Sequence, residues 1–131
     1  MTIIVGYVPN PQGDAALVRA TWEAKRDDKR LIVVNASRSD PLEGDASIAD
    51  REKLEQIRRQ LDHAGVDYEI HQPLRGSEPA EEIVKTAAEH QASLIVIGLR
   101  HRSKVGKIIF GSTAQSVLMD AECPVLAVKA D

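Results

Sequence analysis

Between Gly98 and Thr113 the chain reads Gly-Leu-Arg-His-Arg-Ser-Lys-Val-Gly-Lys-Ile-Ile-Phe-Gly-Ser-Thr. This segment carries four formal positive charges, on Arg100, Arg102, Lys104 and Lys107, and no acid, in a 131-residue chain of formal net charge −3. It delivers Gly111, Ser112 and Thr113 to what reads as the start of a helix. Backbone N–H groups at a helix N-terminus lack internal partners and sit at the positive end of the helix dipole. Glycine lets an anion come close to the main chain, and the two hydroxyls add donors. The chemistry these residue types suit is anion binding, phosphate above all. The competing reading is that Ser112 is only the N-cap of its helix and the basic stretch a solvated surface. Residue types alone leave both open.

Other chemistries find no residues to carry them. Gly106-Lys107 is followed by Ile108, so the phosphate loop of nucleoside triphosphatases is absent. No G-x-G-x-x-G follows the first apolar run and no G-x-S-x-G elbow occurs. A phosphoacceptor domain would need clustered acids at the end of the first strand, which Val8 and Asp14 do not supply. His63, His71, His90 and His101 are not arranged at metal-ligand spacing. Cys123 is the only cysteine and lies in an apolar run, where a buried, inert thiol is expected. No catalytic residue and no metal ligand is assigned. His101 is the one histidine within the basic segment.

Alternating elements must position this segment. Ile3–Val8, Leu31–Ala36, Val66–Pro73, Leu94–Gly98 and Pro124–Lys129 read as strands. Asp14–Lys29, with Asp14 as N-cap, reads as a helix burying Leu17, Ala20 and Ala24. A second helix, Ser47–Ala64, buries Leu54, Ile57, Leu61 and Ala64 and stops at Gly65. A third is capped by Ser77, has Pro79 in its first turn and buries Ile83, Val84, Ala87 and Ala88. The fourth spans Ser112–Ala121. Trp22 is expected to pack its helix against the sheet or a neighbouring element. Strands separated by helices imply crossovers and a parallel sheet. The apolar runs Ile3–Val5, Leu31–Val34 and Leu94–Ile97 predict strands covered on both faces. The alternation in Val66–Pro73 predicts a half-exposed edge strand.

The totals agree with one globular domain over 1–131: 43% hydrophobic and 28% charged residues. An acidic balance argues against a general nucleic-acid binder. The first residues lack a basic n-region and a long apolar core, and no apolar stretch approaches the ~20 residues that cross a bilayer. A soluble cytoplasmic protein, with no membrane or nucleic-acid partner, is expected.

The segment Gly98–Ser112 resembles a motif of the universal stress protein family: G-x-x-G, nine residues, then G-[S/T], between fourth strand and fourth helix. Gly98 takes the first position, Gly111 the third and Ser112 the last, with the nine-residue interval intact. Residues 111–118 and 121–129 also look like the family's ending, and the element order matches over essentially the whole chain. The resemblance implies an open five-stranded parallel sheet of order 3-2-1-4-5 with helices on both faces, Rossmann-like and similar to the adenine nucleotide alpha hydrolases. It implies a homodimer in which the fifth strands, Pro124–Val128, pair across a two-fold axis. In one branch of the family it implies bound ATP.

Carried onto this chain, an adenine nucleotide would lie with its base near Asn35 and Ala36 and its ribose by Val8, Pro9 and Asn10. Its phosphates would lie by Gly98, Arg100, His101, Arg102, Gly111, Ser112 and Thr113, with Mg²⁺ accompanying them. The chain departs from the pattern twice. His101 stands at the second glycine, and Val8-Pro9-Asn10 stands where nucleotide-binding members have an Asp and a small residue. The reading is a small cytoplasmic stress-response or regulatory protein that binds ATP or another adenine nucleotide without being an enzyme. The alternatives are a nucleotide-free dimeric interaction module and, third, a slow ATP hydrolase.

Overall fold

The computed structural model describes residues 1–36, 49–73, 76–99 and 111–130. Nine elements follow one another: β1 (Thr2–Gly6), α1 (Pro11–Asp27), β2 (Arg30–Val34), α2 (Arg51–Ala64), β3 (Tyr68–His71), α3 (Pro79–Glu89), β4 (Leu94–Leu99), α4 (Ser112–Asp120) and β5 (Val125–Lys129). The five strands pair in parallel in the order β3-β2-β1-β4-β5. The order expected from the resemblance is the one observed.

Successive strand residues point to opposite faces, so an unbroken apolar run fills two cores. Ile3, Val5, Leu31, Val33 and Val96 join Ala16, Leu17, Ala20, Ala24, Ile57 and Leu61 beneath α1 and α2. Ile4, Ile32, Val34, Ile95 and Ile97 join Ala80, Ile83, Ala87, Ala114 and Val117 beneath α3 and α4. Each fully buried aliphatic side chain contributes about 1.5–3 kcal/mol, so the two layers together fix the sheet. β3 is the edge beside β2, and its four residues are all half-buried.

Several element ends differ from the sequence expectation. Asp14 does not cap α1. Pro11 at the first helical position, which has no N–H to satisfy, moves the helix start forward, and Asn10 caps it by accepting from the Gly13 N–H at 2.8 Å. α2 starts at Arg51, capped by Asp50 accepting from Lys53 N–H at 2.9 Å, and stops at Gly65 in the left-handed region (φ 75). The N-cap of α3 is Glu78, not Ser77, and its side chain makes no capping bond. Ala88 is exposed, and Thr86 takes the buried place beside Ala87. Trp22 does not pack onto the sheet: it is 52% exposed on the outer face of α1. Cys123 is partly buried against the α3–α4 core, and burial pushes its thiol up from the ordinary value.

Candidate functional site

Strand order reverses between β1 and β4, since the chain runs outward from β1 through β2 to β3 and then returns to β4. Ligands of open α/β sheets collect beyond the carboxyl ends of strands at such a point. β1 lies between β2 and β4, so Tyr7–Asn10 leave the sheet between Asn35 and Ala36 on one side and Gly98 on the other. α4 must run from the carboxyl edge to the amino edge for β5 to lie parallel to β4, which sets Gly111, Ser112 and Thr113 at the same edge. Arg100, His101 and Arg102, with Lys104 and Lys107, lie outside the described residues.

The start of α4 meets the requirement for an anion. Gly111 is the N-cap, in extended conformation, and among the described residues no side chain caps the helix; the first intrahelical bond runs from Gln115 N–H to the Gly111 carbonyl at 3.0 Å. The N–H groups of Ser112, Thr113 and Ala114 therefore have no partner within the helix. Ser112 is the first helical residue, not the cap, because the glycine before it adopts the extended geometry. Its hydroxyl is exposed.

Asn10 and Asn35 are engaged in holding the fold. The Asn10 Oδ1 is the cap acceptor of α1, receiving the Gly13 N–H. Asn35, 3% exposed, donates from Nδ2 to the Tyr7 carbonyl at 2.9 Å. Its Oδ1 accepts from Ala49 N–H at 2.9 Å and Gln72 Nε2 at 3.0 Å. Asn35 thus ties the exit of β1 to the end of β3 and to the chain entering α2, and Ala36 beside it is buried. Val8 and Pro9 are half-buried, and the Asn10 N–H donates to the Val8 carbonyl at 2.8 Å.

Gly98 has a packing role. A Cβ there would stand 2.4 Å from the Gln12 carbonyl oxygen, and one on Gly13 would stand 1.8 Å from the Val8 carbonyl oxygen. The first turn of α1 is thereby seated against β4 and against its own approach loop.

Sequence reasoning missed three groupings. The Tyr7 hydroxyl donates to Asp14 Oδ1 at 2.8 Å, and Lys53 Nζ lies 3.4 Å from the same oxygen, which joins the chain leaving β1 to α1 and α2. Burial, reinforced by this carboxylate, pushes the Tyr7 hydroxyl well above the ordinary phenol value. His71 and His90 bring their rings to 6.0 Å, with His71 Nε2 3.0 Å from Glu69 Oε2. Among the described residues no three His, Cys, Asp or Glu side chains gather to hold a metal ion. The third grouping surrounds Trp22. The first two join residues on different elements and have no local sequence signal; the third has one, since Arg19, Glu23 and Arg26 stand at i,i+4 and i,i+3 spacing on α1.

A family model described as the Universal stress protein family matches residues 1–129. The chain belongs to the universal stress protein family. Among its relatives, a universal stress protein of Mycolicibacterium smegmatis is 42% identical over 127 residues, covering 97% of this chain and 96% of that one. A solved universal stress protein from Archaeoglobus fulgidus has a TM-score of 0.80 at 32% identity, with 98% of both chains covered. The universal stress protein from Archaeoglobus fulgidus in complex with dAMP has a TM-score of 0.74 at 28% identity, again with 98% of both chains covered. Among the described residues no helix is long and apolar enough to cross a membrane.

Proposed function

We propose that this universal stress protein binds an adenine nucleotide at the carboxyl edge of its sheet and serves as a regulatory or stress-response protein, not as an enzyme. The observation that carries the reading is the start of α4, where a glycine cap leaves three consecutive amides without helix partners. The dAMP complex of the Archaeoglobus fulgidus relative supports the ligand class.

The phosphates would meet the amides of Ser112, Thr113 and Ala114 and the Ser112 hydroxyl, with Gly98, Arg100, His101, Arg102 and Gly111 in the same segment. The ribose would lie by Val8, Pro9 and the Asn10 Nδ2. The adenine would lie against Asn35 and Ala36, where Asn35 stiffens the wall with its side chain already engaged on both ends. Mg²⁺ would come with the phosphates, since the segment from Gly98 to Thr113 contains no carboxylate to bind it. That lack also disfavours hydrolysis.

β5 closes the sheet, and Val125, Leu126, Ala127 and Val128 are only half-buried there. An apolar edge strand of this kind invites pairing, so the protein would be a homodimer through Pro124–Val128.

A second reading, a nucleotide-free dimeric interaction module, is favoured by the engagement of Asn10 Oδ1 and Asn35 within the fold. Calorimetric titration separates the two. Saturable heat with ATP, ADP, AMP or cyclic AMP is expected; no heat at millimolar nucleotide would support the second reading. Phosphate released from ATP and abolished by Gly111→Val would establish the hydrolase.

A further inference from the structure

The outer face of α1 carries an assembly that the nucleotide reading does not use. Trp22, the chain's only tryptophan, lies 52% exposed, and Val18 one turn before it lies 60% exposed. Two guanidiniums lie over the indole: Arg19 Cζ stands 4.9 Å and Arg26 Cζ 4.7 Å from the ring centroid. Both are held by one carboxylate. Glu23, whose side chain is only 7% exposed, receives Arg19 on Oε1 at 2.9 Å and Arg26 on Oε2 at 2.8 Å. Arg26 is tied further to Asp27 at 3.0 Å.

A long, flexible cation normally loses side-chain entropy when it binds a partner. Here Glu23 already pairs with both arginines, and both lie over the indole, so each has less freedom left to lose. About half of each arginine side chain stays exposed, 48% and 52%. The Nη1 group of each makes no bond among the described residues and remains a donor. At 3.6 residues per turn, Lys25, Val18, Trp22, Ala15, Arg26 and Arg19 follow one another around the outward arc of α1. That arc holds three cations against the buried Glu23 and the flanking Asp27, an excess of positive charge in a chain that is net negative.

We propose that this face is a docking site for a protein partner that presents an apolar anchor ringed by carboxylates. Tryptophan and arginine are the residue types that dominate interface energetics, and Lys25 with the outward Nη1 groups of the paired arginines favours acidic groups over basic ones. A membrane would ask for a broader apolar face than one indole and one valine. Trp22 lies twelve residues beyond Asn10, about 18 Å along the helix, so the surface is separate from the carboxyl edge and does not depend on nucleotide binding.

Because Trp22 is the only tryptophan, its emission reports the site directly. The probe is a synthetic peptide with a Leu-Phe anchor flanked by glutamates, compared with the same peptide carrying lysine at every glutamate and with phosphatidylserine vesicles. The expected result is a saturable blue shift with the glutamate peptide only. It should be weakened about tenfold by Val18→Asp and progressively by added salt, with the melting temperature of the variant unchanged. Lys25→Glu, also exposed, provides a second variant with the same expectation in direction. No response to the glutamate peptide at millimolar concentration would overturn the proposal. So would equal binding of the lysine peptide, saturable binding to vesicles, or an affinity indifferent to both variants.

Discussion

Gly98 on β4 and Gln12 on α1 meet backbone to backbone: a Cβ on Gly98 would lie 2.4 Å from the Gln12 carbonyl oxygen and 2.7 Å from its carbon. Neither atom belongs to a flexible side chain that could swing aside. The start of α1, and with it the Val8–Asn10 loop, can sit at the switch point only because residue 98 has no side chain. Gly98→Ala should therefore destabilise the protein by about 1–3 kcal/mol, the usual range for overpacking. Denaturant unfolding without any nucleotide measures it. A variant as stable as the wild type would mean that α1 moves off β4 freely.

Asn10 offers a separable test of local structure. Asn10→Ala removes the side-chain acceptor for the Gly13 N–H and should cost about 1 kcal/mol, whereas Asn10→Asp keeps an acceptor and should stay close to wild type. Asp would also present a second, charged oxygen beside the proposed ribose position, so its nucleotide affinity should rise while stability holds. Thermal melts and calorimetry on the same samples read both effects.

The layers of the fold were legible because they rest on periodicity. Three unbroken apolar runs announced strands covered on two faces, and Ile57 with Leu61 announced the buried stripe of α2. The helix starts were harder to read. Asn10 and Asp14 are both good caps, and the proline between them decides, because Pro11 satisfies the first helical position. At α4 the same competition runs between Gly111 and Ser112, and the extended glycine takes the cap. The site was legible as a loop-to-helix motif, while the engagements of Asn35, Tyr7 and Asp14 were not, since they join residues far apart in sequence.

Tyr7 makes stability depend on pH in the alkaline range. Its hydroxyl is held protonated in the folded state by burial and by the Asp14 carboxylate. Above the unfolded phenol value of about 10, the unfolded chain loses a proton that the native protein keeps, so stability falls as pH rises from there. Tyr7→Phe should be less stable than the wild type near neutrality by about 1 kcal/mol for the lost hydrogen bond, and the gap should narrow above that pH. Urea melts of both proteins across the range give the comparison. A constant gap would contradict the assignment.

Ser112 is the first residue of α4 and not its cap, so its hydroxyl is not needed for the helix. Ser112→Ala should change stability by less than about 0.5 kcal/mol, as for an ordinary surface substitution. If phosphate lies there, nucleotide affinity should drop by several-fold, more than stability does. Equal losses in both would assign the hydroxyl a structural part.

A phosphate at the start of α4 would be received by the amides of Ser112, Thr113 and Ala114, which have no partner within the helix. Amide-resolved NMR of the isotope-labelled protein, titrated with AMP and then with adenosine, tests it at the atoms concerned. Saturable shifts of Ser112, Thr113 and Ala114 with AMP are expected, accompanied by Asn10 and Ala36, with much smaller shifts of the α4 amides with adenosine. Amides of 112–114 that stay still while AMP binds elsewhere, or that do not move at millimolar AMP at all, would contradict it.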